Sequence, residues 1–230
     1  MDFVYICGPG ETDELRYSIR SVIANAPHGK IWVVGSKPSW YTGDYIEVPQ
    51  DSPKYINAIN NLKAICDSKD ISDDFILMND DFYIIKPISH IEYTFSGPLD
   101  DKIDKYLDLV PGSSYTRKLQ ETRTRLLKEG VSKPLDYELH VPMPMNKANL
   151  KRCLINPNVL WRSMYGNLFN VGGIQMSDVK VYTQGTLRFN SYSLDDLKYD
   201  YLSSDDSSYW TIKKKILEPM FQDPSPYESP

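Results

Sequence analysis

The residues best suited to chemistry are two adjacent aspartates, Asp80 and Asp81, which follow Asn79 after the apolar run at 75–78. Such a run is typical of a buried strand. In an open α/β sheet, ligands bind outside the carboxyl ends of the strands, where these polar residues would lie. Two buried carboxylates need a cation, and a hard divalent ion carrying a diphosphate supplies one. The alternative is an acidic turn between two strands, for which Asn-Asp-Asp is also suitable.

The segments before the aspartates alternate between strand and helix patterns. Short apolar runs predict strands at residues 3–7, 31–34 and 45–48. Apolar residues at helical spacing predict helices over 11–26, with Thr12 as its N-cap, and over 54–67. This order of elements predicts an α/β fold with a mostly parallel sheet flanked by helices.

After Pro87 the periodicity weakens, and we predict one domain over residues 1–230 with a helical insertion near 89–136. The insertion carries a cluster of basic side chains that either contacts a phosphate-bearing acceptor or forms a solvated helix face balanced by Glu121 and Glu129. The members of this cluster are Arg117, Lys118, Arg123, Arg125 and Lys128.

The later part of the chain contains one further candidate for catalysis. His140 begins the run His-Val-Pro-Met-Pro-Met, whose two prolines hold the backbone extended. Histidine is the side chain best suited to accept a proton at neutral pH, although a lone histidine is more often structural. Asn146 predicts the N-cap of a helix over 147–153. A late strand is predicted at 179–182, and a helix over about 208–220 follows Asp205.

Composition sets limits on the class of protein. The chain has 230 residues, 41% of them hydrophobic, with 17 Tyr and 4 Trp, which indicates a packed core. A formal charge of -5 argues against a general nucleic-acid-binding protein. Three scattered cysteines indicate a reducing compartment, and no apolar stretch is long enough to span a bilayer. We therefore expect a cytoplasmic protein without a membrane span, in an oligomeric state that the sequence does not reveal.

Four blocks of the sequence, in order, resemble the Stealth family of sugar-1-phosphate transferases. The first contains Glu14-Leu15-Arg16-Tyr17-Ser18-Ile19-Arg20-Ser21 and Asn25-Ala26-Pro27, and the second is Asn79-Asp80-Asp81-Phe82. The third joins His140-Val141-Pro142-Met143-Pro144-Met145-Asn146-Lys147 with Trp161-Arg162-Ser163. The fourth joins Ser204-Asp205-Asp206 with the run from Met220 to Glu228. The family includes bacterial capsule polymerases and the animal enzyme that tags lysosomal glycans. A compact phage-type glycosyltransferase of the same ancestry would look similar.

The sequence also departs from the family pattern. A conserved block that precedes these four in the family, its first, usually ends in Trp-Val-Asp-Gly, whereas this chain has Ile6-Cys7-Gly8-Pro9-Gly10 and lacks the acid. Asn57 and Asn60 stand where the family often has a His and a Glu. The resemblance implies a GT-A-like fold and a nucleotide-sugar donor, with a UDP-sugar as the usual case.

The resemblance also implies roles for individual residues. Asp80 and Asp81 would hold Mg²⁺ or Mn²⁺ on the diphosphate, and His140 would take the proton from the acceptor hydroxyl. Arg162 would assist catalysis by binding a phosphate, as would Arg16 and Arg20, which lie four positions apart on one helix face. Arg16 and Arg20 have a second interpretation, as a surface pair bonded to Glu11 or Asp13. The remaining expected substrate-binding residues are Asn57, Asn79, Lys147 and Asp205.

Several functions use the same parts. Transfer of sugar-1-phosphate to an acceptor hydroxyl releases UMP, as in capsule polysaccharide biosynthesis, whereas transfer of the sugar alone releases UDP. The acceptor in the second case is a glycan, a protein or a hydroxymethylated DNA base, the last supported only by the basic cluster. A non-catalytic carbohydrate-binding module that stacks sugars on Tyr and Trp is a further alternative.

Overall fold

The computed structural model describes residues 1–182 and 197–229. The chain divides into two compact units. The sheet unit comprises Met1–Ile91, His140–Pro144 and Val179–Pro230, and the helical unit comprises Glu92–Leu139 and Met145–Asp178. The helical unit begins near the start of the predicted insertion and extends well beyond residue 136. Whether the two units form one domain stays a prediction.

The sheet unit is built on a mostly parallel five-stranded sheet, which confirms the predicted α/β class and is compatible with a GT-A-like fold. Strand β1 pairs in parallel with β2 on one side and with β4 on the other, and β2 pairs in parallel with β3. The order across the sheet is β3-β2-β1-β4-β9. The bounds are β1 Asp2–Cys7, β2 Ile31–Gly35, β3 Asp44–Glu47, β4 Asp74–Asn79 and β9 Met143–Asn146.

Helix α1 (Asp13–Asn25) covers one face of this sheet. Its buried side chains Leu15, Ile19 and Val22 belong to the same core cluster as alternate residues of the strands, such as Tyr5 and Met78. The predicted N-cap is confirmed, since the Thr12 hydroxyl oxygen accepts a hydrogen bond from the backbone N–H of Leu15. Helix α2 (Lys54–Asp67) has the predicted bounds.

The strand order creates a switch point between β1 and β4. The chain proceeds outward from β1 to β2 and β3, and then returns to the other side of β1 to form β4. Ile6 pairs with Asn79, so the loop after β1 and the two aspartates after β4 emerge side by side at the carboxyl edge of the sheet. A crevice at such a point is the usual ligand site of an open α/β sheet.

The carboxyl edge depends on Gly35, at the end of β2. Its φ of +122° is disfavoured for other residues, and an added Cβ would lie 2.1 Å from the carbonyl oxygen of Cys7. We expect Gly35→Ala to lower the free energy of unfolding by about 3 kcal/mol, measured by urea denaturation. Gly8→Ala is the control, because nothing lies within 4 Å of its added Cβ. Equal stability of the two variants would contradict this assignment.

A small antiparallel pair lies beside the second aspartate. Strand β5 (Phe82–Ile84) pairs with β11 (Tyr201–Ser203), with Ser203 opposite Phe82. The predicted strand at 179–182 is wrong as a regular strand, because among residues 1–182 and 197–229 its pairing consists of one bridge between Lys180 and Ser203. The predicted helix at about 208–220 is present as α7 (Tyr209–Ile212), a π-helical segment (Lys213–Leu217) and α8 (Glu218–Met220).

The helical unit contains four helices and short strand pairs among its described residues. Its predicted helix after Asn146 is confirmed, with the Asn146 side chain accepting from the backbone N–H groups of Ala148 and Asn149. The helices are α3 (Leu99–Leu109), α4 (Ser114–Lys128), α5 (Lys147–Cys153) and α6 (Trp161–Leu168). The strands are β6 (Thr94–Phe95) with β10 (Ile174–Gln175), and β7 (Gly97–Pro98) with β8 (Leu135–Asp136).

The basic cluster of α4 is partly neutralised within the helical unit. Arg123 pairs with Asp100, and Arg125 lies 2.5 Å from Glu129, one turn further along the helix. These contacts favour the interpretation of the cluster as a solvated helix face. In the described ranges 1–182 and 197–229, no helix is long and apolar enough to cross a membrane.

Candidate functional site

The candidate site lies in the sheet unit, where β4 ends. Asp81 is held there by two groups on the same carboxylate oxygen. The Lys180 ammonium lies 2.8 Å from Asp81 Oδ2, and the Ser203 hydroxyl donates to that oxygen at 3.2 Å. The Asp81 side chain is 13% exposed and that of Lys180 is 16% exposed. An ammonium of the chain itself therefore supplies part of the positive charge expected next to the aspartates.

Backbone pairing with β11 brings Lys180 to Asp81. The backbone N–H of Val181 donates to the Ser203 carbonyl at 2.9 Å, and that of Ser203 donates to the Val179 carbonyl at 3.3 Å. Because Ser203 also pairs with Phe82, the lysine, the serine and the aspartate converge. Sequence analysis missed Lys180 because it is 99 positions from Asp81 and belongs to no motif.

Asp80 is the second carboxylate at this edge and is partly exposed. Burial and the charge of Asp81 raise the pKa of Asp80 to about 6, against the lowering effect of a hydrogen bond with Thr12 and of the Lys54 charge. The protein therefore does not fully compensate negative charge here.

Glu14, in the first turn of α1, is a third carboxyl near this edge. Burial, followed by the charges of Asp80 and Asp81, raises its pKa to about 7. The Ser204 hydroxyl lies 3.0 Å from Glu14 Oε1 and 2.9 Å from the Tyr83 hydroxyl. Sequence analysis placed Glu14 only within a family block. Its position at the start of a helix that follows β1 is the signal that would have placed it beside the carboxyl end of β4.

The raised pKa of Glu14 predicts a pH dependence of stability. The folded protein retains a proton that the unfolded chain releases, so its free energy of unfolding falls as pH rises from about 4.5 to about 7. We expect Glu14→Gln to match the wild type at pH 5 and to exceed it by about 1–2 kcal/mol at pH 7.5, in urea denaturation. The exposed Glu121→Gln should show no such difference. A Glu14→Gln variant that follows the wild-type pH profile would contradict the assignment.

His140, the predicted proton acceptor, belongs to the sheet unit. Its partly exposed ring packs edge-to-face against Phe82, with ring centroids 6.1 Å apart. The contact is with the ring of Phe82, which directly follows Asp81 in the chain. The role of His140 as proton acceptor stays a prediction.

Three other predicted substrate-binding residues, Asn57, Asn79 and Asp205, lie in the sheet unit. The Asn57 side chain is buried, and its Oδ1 accepts from the backbone N–H of Ser52. Asp205 Oδ1 accepts from the backbone N–H groups of Ser207 and Ser208, where it organises a turn. Asn79 is partly buried, and its Oδ1 atom is buried without a hydrogen-bond partner. Of these three, Asn79 lies directly beside the aspartates.

Arg16 and Arg20, predicted to bind phosphate, contact the C-terminal segment. Arg20 forms a bidentate pair with Glu228, with Nε 2.8 Å from Oε1 and Nη2 2.7 Å from Oε2. Arg16 lies 3.1 Å from the same carboxylate and 3.8 Å from Asp13. The ion pair with Asp13 agrees with the alternative surface-pair interpretation. Substrate binding by these arginines stays a prediction, and in this structure both donate to Glu228.

The two remaining predicted residues, Arg162 and Lys147, belong to the helical unit. Arg162 is 4% exposed, and its Nη1 donates to the Leu139 carbonyl at 3.0 Å. Lys147, in the first turn of α5, is also buried. Their predicted contacts with substrate stay predictions.

The oxygen atoms at the carboxyl edge are too few to coordinate a divalent cation alone, so a bound ligand would have to supply further oxygens. Among residues 1–182 and 197–229, no three His, Cys, Asp or Glu side chains are placed to hold a metal ion. Asp80 and Asp81 offer carboxylate oxygens, and Asn79 Oδ1 is a further buried oxygen. Mg²⁺ in nucleotide sites is usually held by one or two carboxylates plus phosphates and water. Asp80 and Asp81 are the carboxylates that would hold such a cation here, and the cation itself stays a prediction.

Comparison of the chain with models of protein families and with curated proteins found no match. The resemblance to the Stealth family therefore stays a hypothesis.

Proposed function

We propose that the chain is a transferase that uses a nucleotide-sugar donor, a UDP-sugar in the usual case of the family it resembles. It moves sugar-1-phosphate to an acceptor hydroxyl with the help of Mg²⁺ or Mn²⁺. The observation that carries this proposal is the position of Asp80 and Asp81 at the switch point between β1 and β4, with Lys180 at 2.8 Å from Asp81. Carboxylates for a cation and an ammonium for a phosphate meet where open α/β sheets bind ligands.

The proposed cation has a limited role. Asp80 and Asp81 would hold it on the diphosphate, where it neutralises the negative charge that develops on the leaving group. Burial and the charge of Asp81 raise the pKa of Asp80, so added positive charge would stabilise its ionised form. Lys180 provides a second positive charge for phosphate oxygens, the role that sequence analysis gave to arginines.

In the proposed reaction, the acceptor oxygen attacks the β-phosphorus and a new O–P bond forms. The bond between the β-phosphorus and the oxygen bridging to the α-phosphate breaks, and UMP leaves with that electron pair. A neutral ring nitrogen of His140 takes the proton of the acceptor hydroxyl, a contribution of roughly 10² to 10⁴ in rate. Positioning and charge stabilisation provide the remaining acceleration, as in phosphoryl transfer generally.

The identity of the released nucleotide tests this reaction. The chain is incubated with UDP-sugars, Mn²⁺ and carbohydrate acceptors such as capsule oligosaccharides, and the nucleotides are separated by chromatography. UMP is the expected product. UDP as the sole product would overturn sugar-phosphate transfer in favour of transfer of the sugar alone. Retention of sugar binding in Asp80→Asn and Asp81→Asn, without turnover in any form, would favour a carbohydrate-binding module.

We also propose that the reaction takes place in the cytoplasm. Cys7, Cys66 and Cys153 are not joined in disulfides, which is compatible with a reducing compartment. A UDP-sugar donor supports the same location, because nucleotide sugars are intracellular metabolites. DNA is a poor candidate for the acceptor, since two members of the cluster that supported it, Arg123 and Arg125, form ion pairs within the helical unit.

A further inference from the structure

Lys180 and Asp81 form an ion pair that was not predicted from the sequence. Both side chains are mostly buried, and the ammonium and the Ser203 hydroxyl share a single oxygen, Asp81 Oδ2. Hydrogen bonds to Ser203 fix the backbone on both sides of Lys180. The lysine side chain, by contrast, is a flexible four-carbon chain, and the three N–H donors of its ammonium can reorient toward a different acceptor.

The pair has a direct consequence for cation binding. An ammonium and a divalent ion at the same carboxylate repel each other, because like charges a few ångströms apart are poorly screened at a mostly buried site. Binding of the cation at Asp81 therefore favours movement of Lys180 away from that carboxylate. A diphosphate that arrives with the cation would offer the displaced ammonium a new anionic partner.

We propose that Lys180 is a donor-phosphate ligand that exchanges partners. In the ligand-free protein it pairs with Asp81, and when the nucleotide and its cation bind, it moves to a phosphate oxygen. This inference rests on the proposed function and adds a residue that its resemblance-based site did not contain. The exchange keeps Asp81 paired with a positive charge in each state, and it makes cation binding depend on the nucleotide.

The test measures cation binding and nucleotide binding separately, without turnover. In Lys180→Met, Mn²⁺ alone should bind about tenfold more tightly than in the wild type, by electron paramagnetic resonance of free Mn²⁺, because Asp81 has lost its ammonium. UDP in the presence of Mn²⁺ should bind at least tenfold more weakly, by isothermal titration calorimetry. Lys180→Arg, which keeps the charge, should retain most of the UDP affinity.

Lys213→Met is the matched control. Lys213 is also 16% exposed and lies 2.5 Å from a carboxylate, that of Asp13. The Lys213→Met variant should bind Mn²⁺ and UDP with wild-type affinity.

Unchanged Mn²⁺ affinity in Lys180→Met, or unchanged UDP affinity, would overturn the exchange. If the wild type binds no UDP in the presence of Mn²⁺, the proposed function itself is contradicted. If the wild type binds UDP and only the Lys180→Met effects are missing, the exchange alone is contradicted. Circular dichroism confirms that each variant is folded.

Discussion

Asp81→Asn is expected to lower donor turnover by at least a hundredfold while the protein remains folded. The substitution removes the charge that would hold the cation, and it leaves Lys180 without its ion-pair partner at 2.8 Å. Asp80→Asn should have a similar effect on turnover. Release of UMP or UDP from a UDP-sugar, followed by chromatography at saturating Mn²⁺, measures this loss.

The control for these variants lies at the opposite end of the same strand. Asp73 is an exposed aspartate just before β4 begins, so Asp73→Asn changes the net charge equally without touching the carboxyl edge. It should keep wild-type turnover. Turnover within threefold of the wild type in both Asp80→Asn and Asp81→Asn would show that the aspartates do not participate in the reaction.

Glu228→Gln is expected to lower the free energy of unfolding by about 3 kcal/mol at pH 7. The carboxylate is 2% exposed and pairs with both Arg16 and Arg20. Burial alone would raise the pKa of Glu228, but hydrogen bonds from Arg20 and from the backbone N–H of Ser225 outweigh it and lower the pKa to about 2. Glu228→Gln removes this carboxylate charge, so the guanidinium groups of Arg16 and Arg20 lose an anionic partner. Urea denaturation measures the difference.

The lowered pKa of Glu228 also fixes a pH window. Because the folded state holds fewer protons than the unfolded chain, this contribution is complete above about pH 4.5 and is lost as pH falls towards 2. The difference between Glu228→Gln and the wild type should therefore shrink over that range. Glu129→Gln, which removes a more exposed partner of Arg125, should cost less than about 0.5 kcal/mol. Equal costs for the two variants would contradict the role of the buried pair.

Local sequence signals predicted most elements of the sheet unit. The bounds of α2 and the N-cap of α1 follow from apolar spacing and capping chemistry, which act over a few residues. The segment at 179–182 also has an apolar, strand-like pattern. Within the described part of the chain it forms one bridge with Ser203 of β11 instead of a strand, and a local pattern does not reveal such a partner.

The candidate site was predictable only in part, for a similar reason. The aspartates could be placed because a polar break after a buried strand marks a carboxyl edge. The partners of charged residues could not, since Arg20 pairs with Glu228 across 208 positions and Lys180 pairs with Asp81 across 99. Composition shows that positive and negative charges are present, but their pairing depends on tertiary structure.

The central claim is that a nucleotide and a divalent cation bind together at the carboxyl ends of β1 and β4. Paramagnetic broadening of backbone amide signals by Mn²⁺, recorded with and without UDP, tests it most directly. We predict UDP-dependent broadening at Gly10 and Asp81, and none at Gly29 and Asp73 near the opposite edge of the sheet. Broadening centred elsewhere in the chain, or no effect of UDP at millimolar concentration, would contradict the claim.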